Sequence, residues 1–301
     1  MPARPRIAVL GSCTLDIVFR MPRLPLAGET LFADAVAMHP GGKGLNQAIA
    51  AARLGADAAL IGRVGDDAFA RPLLDALAAD GIDTAHVARD PAAGTGVAVP
   101  VVLPGGENSI FSAPRANLAI PVAQVEAARP VIEASRALLL QFEAPMDANL
   151  AAAHIAVAAS VPVLLNPAPI VGHPPELRRL AAILVLNEVE AAMLAPGSGG
   201  HEARALALAG FGQAVCLTLG PEGVVLAHEG KAERIPAFPV EAVDSVAAGD
   251  AFCGALAVAI AEGRTLREAV RFACAAGAIS VTRHGAAPSL PRRSEVEALL
   301  G

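Results

Sequence analysis

Residues 182–187 read AILVLN, an apolar run that ends in one polar residue. Its side chains do not alternate between apolar and polar, as they would in a strand with one face in water. Such a run suits the centre of a parallel sheet that is buried on both faces. Similar runs elsewhere are IAVLG (7–11), AALIG (58–62), ALLLQ (137–141), VPVLLN (161–166) and AVCLTLG (214–220). The repeated pattern predicts a parallel sheet at the centre of the fold.

Helical segments lie between these runs, and a glycine marks the end of several. Helices are predicted over residues 43–54, 66–80 and 249–262, followed by Gly55, Gly81 and Gly263 respectively. Glycine is favoured just past a helix C-terminus, because that position often adopts the left-handed conformation. Strands alternating with helices form βαβ units, which place helices on both faces of the sheet. The predicted fold class is therefore α/β.

Two segments depart from this alternation. Residues 15–39 and 96–112 group β-forming residues around Pro and Gly turns, which favours antiparallel strands over crossover helices. We interpret them as a small accessory sheet. Ligands of open α/β sheets bind beyond the carboxyl ends of the strands, so this sheet is predicted to cover the site as a lid. No repeat or convincing linker interrupts the chain, so residues 1–301 are predicted to form a single domain.

The composition indicates a globular protein without a polyanionic partner. The chain has 301 residues, of which 54% are hydrophobic and 17% are charged, and its formal net charge is −6. This supplies enough apolar material for a buried core. An acidic chain without a basic run is a poor match for a nucleic-acid backbone. We therefore expect no nucleic-acid partner.

Neither membrane association nor secretion is expected. The apolar run near the start, IAVL (7–10), is too short for a signal peptide, and no uncharged stretch of 18 residues has membrane-like bulk. The cysteines, at positions 13, 216, 253 and 274, have no CxxC spacing and lie in apolar runs, which predicts buried free thiols. The predicted location is the cytoplasm.

Common nucleotide-binding and hydrolase motifs are absent, and the candidate site residues are instead polar groups at strand ends and helix starts. No GxxxxGK[ST] motif occurs, and GSCTLD follows the first strand where a dinucleotide fold has its glycine fingerprint. Asp16 in that stretch lies near the predicted lid, although an ordinary turn aspartate gives the same pattern. In GGKGLNQ, glycines at 41, 42 and 44 leave backbone amides accessible at a helix start, beside Lys43 and Asn46.

Further polar residues follow three other apolar runs. Glu143 follows the run at 137–141, where a surface acid is the alternative interpretation. Asn187 and Glu190 follow the run at 182–187; they are either a helix cap with a solvated acid or ligands of a metal-bound water or phosphate. The stretch TLGPEGV (218–224) is either a simple tight turn or part of a binding site.

The stretch DSVAAGDAFCGAL (244–256) combines small residues with a carboxylate at a helix start. Ala247, Ala248 and Gly249 expose successive backbone amides, which can bind an oxyanion. Asp250 beside them is able to accept a proton from a substrate hydroxyl. Phosphoryl transfer requires a positioned base and fixed dipoles of this kind. The simpler alternative is an acid favoured by the helix dipole.

Taken together, these motifs make the chain resemble the ribokinase branch of the PfkB carbohydrate kinase family. The similarity runs nearly end to end. The matching motifs, in order, are VLGSCTLD (9–16), GGKGLNQA (41–48), GDD (65–67), LLLQFEAP (138–145), LNPAP (165–169), NEVEA (187–191), TLGPEGV (218–224), VDSVAAGDAFCGAL (243–256) and VTRHGAAPSLP (281–291). The resemblance implies a three-layer α/β sandwich with a mainly parallel central sheet and a small β-sheet lid, and a dimer formed through the lid.

The resemblance also implies roles for individual residues. Asp250 would be the catalytic base, and the amides of Ala247, Ala248 and Gly249 would bind the transferred phosphoryl group. The residues implied to bind the sugar are Thr14, Asp16, Gly42, Lys43, Asn46, Glu143 and Asp250. Those implied to bind ATP are Asn187, Thr218, Gly220, Gly223 and Gly249, with residues 284–289 flanking the adenine.

Two metal ions are implied as well. Glu190 would bind Mg²⁺ through water. A monovalent cation, usually K⁺ in this family, would be held by Asp244, Val246, Gly285 and Ser289.

The expected function is ATP-dependent phosphorylation of a small sugar at its primary hydroxyl, with ribose as the first choice. Thr14 stands where the family usually has asparagine, Leu45 is bulkier than the common alanine, and Arg115 replaces a small residue. Deoxyribose, a hexose or a nucleoside therefore remain alternatives. A nucleoside needs an apolar pocket that Leu45, Phe19 and Met38 could line, although packing is the commoner role of such residues. A catalytically silent sugar or nucleotide sensor is the alternative from another class.

Overall fold

The computed structural model describes residues 4–104, 108–170, 175–210 and 213–301. The strands within these ranges are β1 (Arg6–Leu10), β2 (Thr14–Arg20), β3 (Ala35–Gly41), β4 (Asp57–Gly65), β5 (Asp83–Asp90), β6 (Gly96–Val102), β7 (Asn108–Ala113), β8 (Ala137–Gln141), β9 (Val163–Asn166), β10 (Ile183–Asn187), β11 (Ala214–Thr218), β12 (Val224–His228) and β13 (Lys231–Ile235). The helices are α1 (Lys43–Arg53), α2 (Ala70–Ala79), α3 (Val122–Ala127), α4 (Arg129–Glu133), α5 (Met146–Ala158), α6 (Pro175–Leu180), α7 (Glu188–Leu194), α8 (His201–Leu208), α9 (Ala248–Ala261), α10 (Leu266–Ser280) and α11 (Arg293–Leu300). Short 3₁₀ turns lie at Arg115–Ala119, Gly220–Glu222 and Ala287–Ser289.

The main sheet has nine strands in the order β13-β12-β11-β10-β9-β8-β1-β4-β5. Strands β5 to β11 in this order run parallel to one another, and β12 and β13 are added antiparallel at one edge. Each of the six predicted apolar runs forms one of the parallel strands, so the predicted parallel sheet is confirmed. The run at 214–220 forms strand only as far as Thr218, since Gly220 begins a 3₁₀ turn.

Alternate side chains of the central strands enter two separate cores. In β1, Ile7 and Val9 belong to a core that includes residues of α1, α2, α9 and α10. Ala8 and Leu10 belong to a second core that includes residues of α3, α4, α5 and α8. Both faces of the strand are buried, which explains why the apolar runs do not alternate. The predicted three-layer α/β sandwich is confirmed.

The helix ends agree with the prediction better than the helix starts. Gly55, Gly81 and Gly263 have φ of 108°, 70° and 81°, the left-handed conformation expected after a helix. The predicted helix at 66–80, however, begins only at Ala70. The carboxylate of Asp67 accepts the backbone N–H groups of Phe69 (3.1 Å) and Ala70 (3.2 Å) and holds a turn before the helix. This start was therefore predicted four residues too early.

The accessory sheet is present, with the strand order β3-β2-β6-β7. Its outer pairs, β2 with β3 and β6 with β7, are antiparallel as predicted, but the central pair, β2 with β6, is parallel. The fully antiparallel prediction is wrong at this pair. The reason is that β2 and β6 continue from β1 and β5, which run parallel within the main sheet. Residues 21–34, between β2 and β3, are not strand and include two prolines, which cannot donate to a ladder.

Two smaller expectations concern membrane spans and cysteines. Within the described ranges, no helix has the length and apolar character that a bilayer crossing requires. All four cysteines are free and buried, as the sequence predicted.

The contact between α1 and α9 provides a test of the core. A Cβ atom added to Gly254 of α9 would lie 2.5 Å from the Cβ atom of Ala50 and 3.0 Å from the backbone nitrogen of Ala51, both on α1. Gly254→Ala should therefore lower the free energy of unfolding by about 1–3 kcal/mol, as overpacking does. Denaturant titration measures this change.

Gly277 of α10 is the matched control, since the nearest atom to an added Cβ there is 3.5 Å away. Gly277→Ala should be neutral or stabilising by up to about 1 kcal/mol, because alanine favours a helix over glycine. Equal stability of the Gly254→Ala variant and the parent would show that the two helices are not in close contact.

Candidate active site

A cleft of about 990 Å³ lies between the accessory sheet and the carboxyl ends of the main-sheet strands. Its lining includes predicted site residues from β2, the start of α1, the turn after β8, the segment leading into α9, the first turn of α9 and the loop after α10. These are Thr14, Asp16, Gly42, Lys43, Asn46, Glu143, Asp244, Val246, Ala247, Asp250 and Gly285. A smaller cavity of about 400 Å³, lined by Val161, Arg179 and Gln213 among others, contains none of the predicted residues. The large cleft is therefore the candidate site.

Asp250 is a buried carboxylate in the first turn of α9, with only 5% of its surface exposed. The side-chain amide of Asn46 donates to its Oδ2 atom (2.9 Å), and that of Gln47 donates to its Oδ1 atom (3.0 Å). Burial raises the pKa of Asp250, while the charge of Lys43 and these two hydrogen bonds oppose the rise. Both oxygens are thus fixed by donors from α1.

Lys43 and Glu143 form the charged floor of the cleft. The backbone N–H of Lys43 donates to Oε2 of Glu143 (3.0 Å), and the hydroxyl of Ser12 donates to the same oxygen. Burial acts to lower the pKa of the Lys43 ammonium, but the charges of Asp250 and Glu143 raise it, and the net pKa lies above its usual value. Lys43 therefore stays protonated among the carboxylates.

Asp16 lies in β2, on the side of the cleft formed by the accessory sheet. The hydroxyl of Thr14 donates to its Oδ1 atom (2.9 Å). An added Cβ on Gly41 would lie 2.2 Å from its Oδ2 atom, so glycine is required at that position for the carboxylate to fit. Burial raises the pKa of Asp16 to about 6, the Thr14 hydrogen bond opposes this, and the charges of Glu143 and Asp250 add to it.

The small-residue stretch before Asp250 forms a strained turn at the start of α9. Ala247 has φ 60° and ψ 7°, the left-handed conformation that only a few per cent of non-glycine residues adopt. The N–H of Ala248 donates to the carbonyl of Ser245 (3.3 Å), so it is already engaged within the turn. Within the described ranges, the N–H groups of Gly249 and Asp250 have no acceptor. The N–H of Ala247 also has no acceptor within these ranges, so only Ala248 of the three predicted amides is engaged.

Asp244 joins two loops that were predicted to hold a monovalent cation. Its Oδ1 accepts the N–H of Val246 (3.0 Å) and its Oδ2 accepts the N–H of Gly285 (3.0 Å). Val246 and Gly285 line the cleft, but Ser289 does not. Ser289 is fully buried, and its hydroxyl is hydrogen-bonded to Ser280 (2.9 Å) and to the carbonyl of Ala286 (2.8 Å).

Asn187 and Glu190 form a capping box at the start of α7. The Asn187 side chain accepts the N–H of Glu190, and the Glu190 carboxylate accepts the N–H of Asn187, both over 2.9 Å. Both residues are outside the cleft lining. Glu190 is nevertheless close enough for its charge to raise the pKa of Lys43. The cap that the sequence suggested is therefore present, and it leaves one carboxylate oxygen of Glu190 available.

Thr218 and the glycines after it lie beside the capping box. Thr218 is the register partner of Asn187 at the carboxyl ends of β11 and β10, and its hydroxyl donates to the carbonyl of Leu186 (3.3 Å). Gly220 and Gly223 have φ of 54° and 94°. An added Cβ on Gly223 would lie 2.1 Å from the carbonyl oxygen of Ile235, so this turn requires glycine. These residues continue the edge of the sheet beyond the cleft.

Several polar residues of the site were missed by the sequence analysis. Ser12 and Asn117 line the cleft. Asn117 is fully buried and exchanges two hydrogen bonds of 2.9 Å with the backbone of Cys13. Gln47 contacts Asp250 and is in turn contacted by Gln141. The signal available in the sequence was Gln47 itself, a polar residue that follows Asn46 and begins the otherwise apolar part of the predicted helix.

The residues considered for a nucleoside pocket have other positions. Leu45 is fully buried in the core, Met38 is 60% exposed, and Phe19 is half-buried. None of the three lines the cleft. Within the described ranges, the packing interpretation is therefore the better one for these side chains.

The cleft contains the groups that a phosphotransferase needs, a buried carboxylate and unpaired backbone N–H groups at a helix start. Comparison with known proteins identifies the family. The model of the pfkB family carbohydrate kinases matches residues 4–293. The chain belongs to this family. A carbohydrate kinase of this family is an enzyme that uses ATP, so the expected enzyme class is confirmed.

Individual proteins show the same similarity over their full length. The chain is 39% identical to ribokinase of Haemophilus influenzae over 297 residues, covering 97% of each chain. It is also 39% identical to ribokinase of Bacillus subtilis over 294 residues, covering 98% of this chain and 99% of that protein. The structure of Arabidopsis thaliana ribokinase complexed with ribose and ATP superposes with a TM-score of 0.92 at 33% identity, covering 99% of both chains.

The raised pKa of Asp16 predicts a stability cost that can be measured. A carboxylate whose folded pKa is about 6, against an ordinary 3.8, destabilises the fold as pH rises through this interval, and the loss persists above pH 6. Asp16→Asn should therefore stabilise the protein at pH 7.5 by up to about 3 kcal/mol, at about 1.4 kcal/mol per pKa unit. The gain should vanish near pH 4. Thermal melts across this range test it.

Asp67→Asn is the control with the opposite sign. The hydrogen bonds of Asp67 to Thr95, Ala70 and Phe69 outweigh burial and lower its pKa, so its ionised form stabilises the fold above pH 4. This variant should melt at a lower temperature than the parent at pH 7.5. An Asp16→Asn variant that also melts lower at pH 7.5 would contradict the raised pKa assigned to Asp16.

Proposed function

We propose that the protein transfers the γ-phosphoryl group of ATP to the primary hydroxyl of ribose, yielding ribose 5-phosphate and ADP. The observation that carries this proposal is the position of Asp250: a buried carboxylate that lines the cleft beside the open N–H groups at the start of α9. Full-length similarity to proteins named ribokinase, and to one complexed with ribose and ATP, supports ribose as the acceptor.

The sugar is proposed to lie between the accessory sheet and α1. Asn46 is 95% buried, and its Oδ1 atom has no donor among the described residues, so it suits a sugar hydroxyl. The carboxylates of Asp16 and Glu143 offer further acceptors, and the Lys43 ammonium offers donors. The small surface of Gly42 lets the sugar approach the backbone. Thr14 contributes by orienting Asp16 through its hydroxyl.

Asp250 is proposed to be the general base of the transfer. A carboxylate has about four acceptor positions, of which Asn46 and Gln47 occupy two. The sugar oxygen forms a bond to the γ-phosphorus as the bond from that phosphorus to the β–γ bridging oxygen breaks. The hydroxyl proton passes to Asp250, and ADP leaves with the electron pair of the broken bond. The N–H groups of Ala247, Gly249 and Asp250 stabilise the negative charge on the transferred group, and Ala248 shapes the turn that presents them.

The nucleotide is proposed to bind along the continuation of the same sheet edge. Asn187, Thr218, Gly220 and Gly223 are adjacent there, and residues 284–289 lie beside the cleft. Glu190 is proposed to hold Mg²⁺ through water, using the carboxylate oxygen that the capping box leaves available. When bound, Mg²⁺ neutralises phosphate charge.

A monovalent cation such as K⁺ is proposed to bind where Asp244 ties two loops together. The carbonyls of Val246 and Gly285 belong to residues that line the cleft, next to the small-residue turn. The ion would stabilise that turn, whose left-handed residue at position 247 is otherwise strained. Ser289 would act through the packing of its loop, because its hydroxyl is already engaged.

We also propose the domain organisation, the location and the assembly of the protein. We expect one domain over residues 1–301, with the accessory sheet acting as a lid, and a cytoplasmic location. A dimer through the lid is supported by exposed apolar side chains on that sheet. They are Met38 and Phe111, which are 60% and 62% exposed and do not line the cleft. Such a surface favours association.

Asp250→Asn tests the proposed function. The variant should lose about 10²- to 10⁴-fold in kcat, the range of general-base contributions, while ribose affinity measured by calorimetry changes little. ADP release is measured with ribose, deoxyribose, a hexose and adenosine as acceptors. Deoxyribose is included because the Thr14 hydroxyl is already bonded to Asp16.

Asp75→Asn is the matched control, since that residue is exposed and, among the described residues, forms an ion pair only with Arg71 on the surface of α2. It should keep wild-type turnover. Wild-type turnover in Asp250→Asn would remove the proposed base. If the wild-type protein binds sugar but releases no ADP with any acceptor, the alternative of a catalytically silent sensor is favoured instead.

The cation proposal is tested by exchanging salts at constant ionic strength. The wild-type rate should rise severalfold when KCl replaces tetramethylammonium chloride, and Asp244→Ala should lose this response because the two loops are no longer joined. Glu241→Gln changes an exposed residue three positions away and should respond as the wild type does. Equal wild-type rates in both salts would contradict the site.

A further inference from the structure

Gln47 contacts the catalytic carboxylate without facing the substrate. It lies in α1, is fully buried, and is not part of the cleft lining. Its Nε2 atom donates to Oδ1 of Asp250 (3.0 Å), on the side opposite the Asn46 bond to Oδ2. Asn46 faces the cleft and is available to a sugar, whereas Gln47 contacts only protein groups among the described residues: its Nε2 atom also lies 3.5 Å from Oδ1 of Asn166.

A second buried glutamine fixes the orientation of this amide. Gln141, the last residue of β8, donates from Nε2 to Oε1 of Gln47 (2.6 Å). Because the Gln47 oxygen is held by that donor, its NH₂ group must face Asp250. Gln141 is anchored in turn, as Asn149 of α5 donates to its backbone carbonyl (2.8 Å). A continuous chain therefore runs from the main sheet to the carboxylate.

The position of Gln141 lowers the stability of the fold, and the packing of the core does not require a polar residue there. The Oε1 atom of Gln141 is buried, with no donor among the described residues, and an unsatisfied acceptor costs about 1–3 kcal/mol. Space for it requires Gly11, where an added Cβ would lie 2.1 Å from that oxygen. An apolar side chain at position 141 would avoid the penalty, but it would leave the Gln47 amide without a fixed orientation.

We propose that Gln47, oriented by Gln141, is a positioning residue that keeps Asp250 ionised and aimed at the sugar hydroxyl. The inference rests on the proposed role of Asp250 as the base. It assigns a part in the reaction to a buried glutamine pair that does not line the cleft.

The ionisation of Asp250 reflects a balance among several groups. Lys43 from α1 favours the charged form, while Glu143 after β8 and Asp16 of β2 oppose it. The Cys253 thiol, one turn along α9, has its pKa raised well above the usual value and stays neutral. Burial is the largest effect and disfavours the charge. A hydrogen bond to a charged group contributes about 1.5–3 kcal/mol, or about one to two pKa units.

The experiment measures kcat against pH at saturating ribose and ATP, so that the acid limb reports the base in the ternary complex. Gln47→Met keeps the volume of the side chain and removes its donor. We expect the acid limb to move up by about one pH unit and kcat on that limb to fall by up to about tenfold, with the KM for ribose changed less than threefold. Gln47→Glu adds a like charge beside Asp250 and should move the limb further.

Gln141→Met is a second variant, which leaves every direct contact of Asp250 intact and frees only the Gln47 oxygen. Its acid limb should move in the same direction by a smaller amount. It also keeps the test available if Gln47→Met does not fold, which circular dichroism shows. Gln213→Met is the control, because Gln213 is another buried glutamine and lies at the start of β11 away from the cleft. Its pH profile should match the wild type.

The outcomes separate this inference from the proposed function. If Asp250→Asn is inactive and the folded Gln47→Met and Gln141→Met variants keep the wild-type acid limb, the glutamine pair is structural only and the inference is overturned. If Asp250→Asn keeps its turnover, the role of the base itself fails. An acid limb raised in both glutamine variants and unchanged in Gln213→Met supports the inference.

Discussion

The arrangement on which the site depends is a carboxylate held in a buried position by donors from a different helix. Asp250 in α9 is fixed by Asn46 and Gln47, which are consecutive residues of α1. Isolated burial of a charge is strongly unfavourable, and these donors and Lys43 favour the ionised form of Asp250 against the effect of burial. The close approach of α1 and α9 at Gly254 allows those donors to reach it. The contact between α1 and α9 therefore determines both the packing of these helices and the position of the donors around Asp250.

The cleft also concentrates negative charge that the fold by itself does not favour. Asp16, Glu143 and Asp250 line the same cleft, and the charges of Glu143 and Asp250 add to the effect of burial in raising the pKa of Asp16. The Lys43 ammonium offsets the charge of Glu143 and Asp250. A polyhydroxylated ligand presents donors to all three carboxylates, which a cleft without ligand lacks. Residues that suit the ligand thus reduce the stability of the unliganded protein, a trade-off common at active sites.

Two errors of the sequence analysis involve contacts between segments that are distant in the chain. The parallel pairing of β2 with β6 follows from where β1 and β5 leave the main sheet. The late start of α2 follows from Asp67, whose carboxylate also accepts the N–H of Thr95 from another loop (2.8 Å). The engaged N–H of Ala248 and the buried hydroxyl of Ser289 depend on turn geometry that residue types alone do not specify.

The sequence by itself determined the α/β class, the six parallel strands that it predicted, the helix ends at glycine, and the motifs that identify a carbohydrate kinase family. These features are local: strand burial, left-handed glycines and motif order are all encoded within short stretches. Only the tertiary structure decided that Gln47 and Gln141 stand behind Asp250, which is 203 residues from Gln47 in the chain. The reason is physical: a hydrogen bond between distant elements depends on how the helices pack against the sheet, and no local pattern specifies that packing.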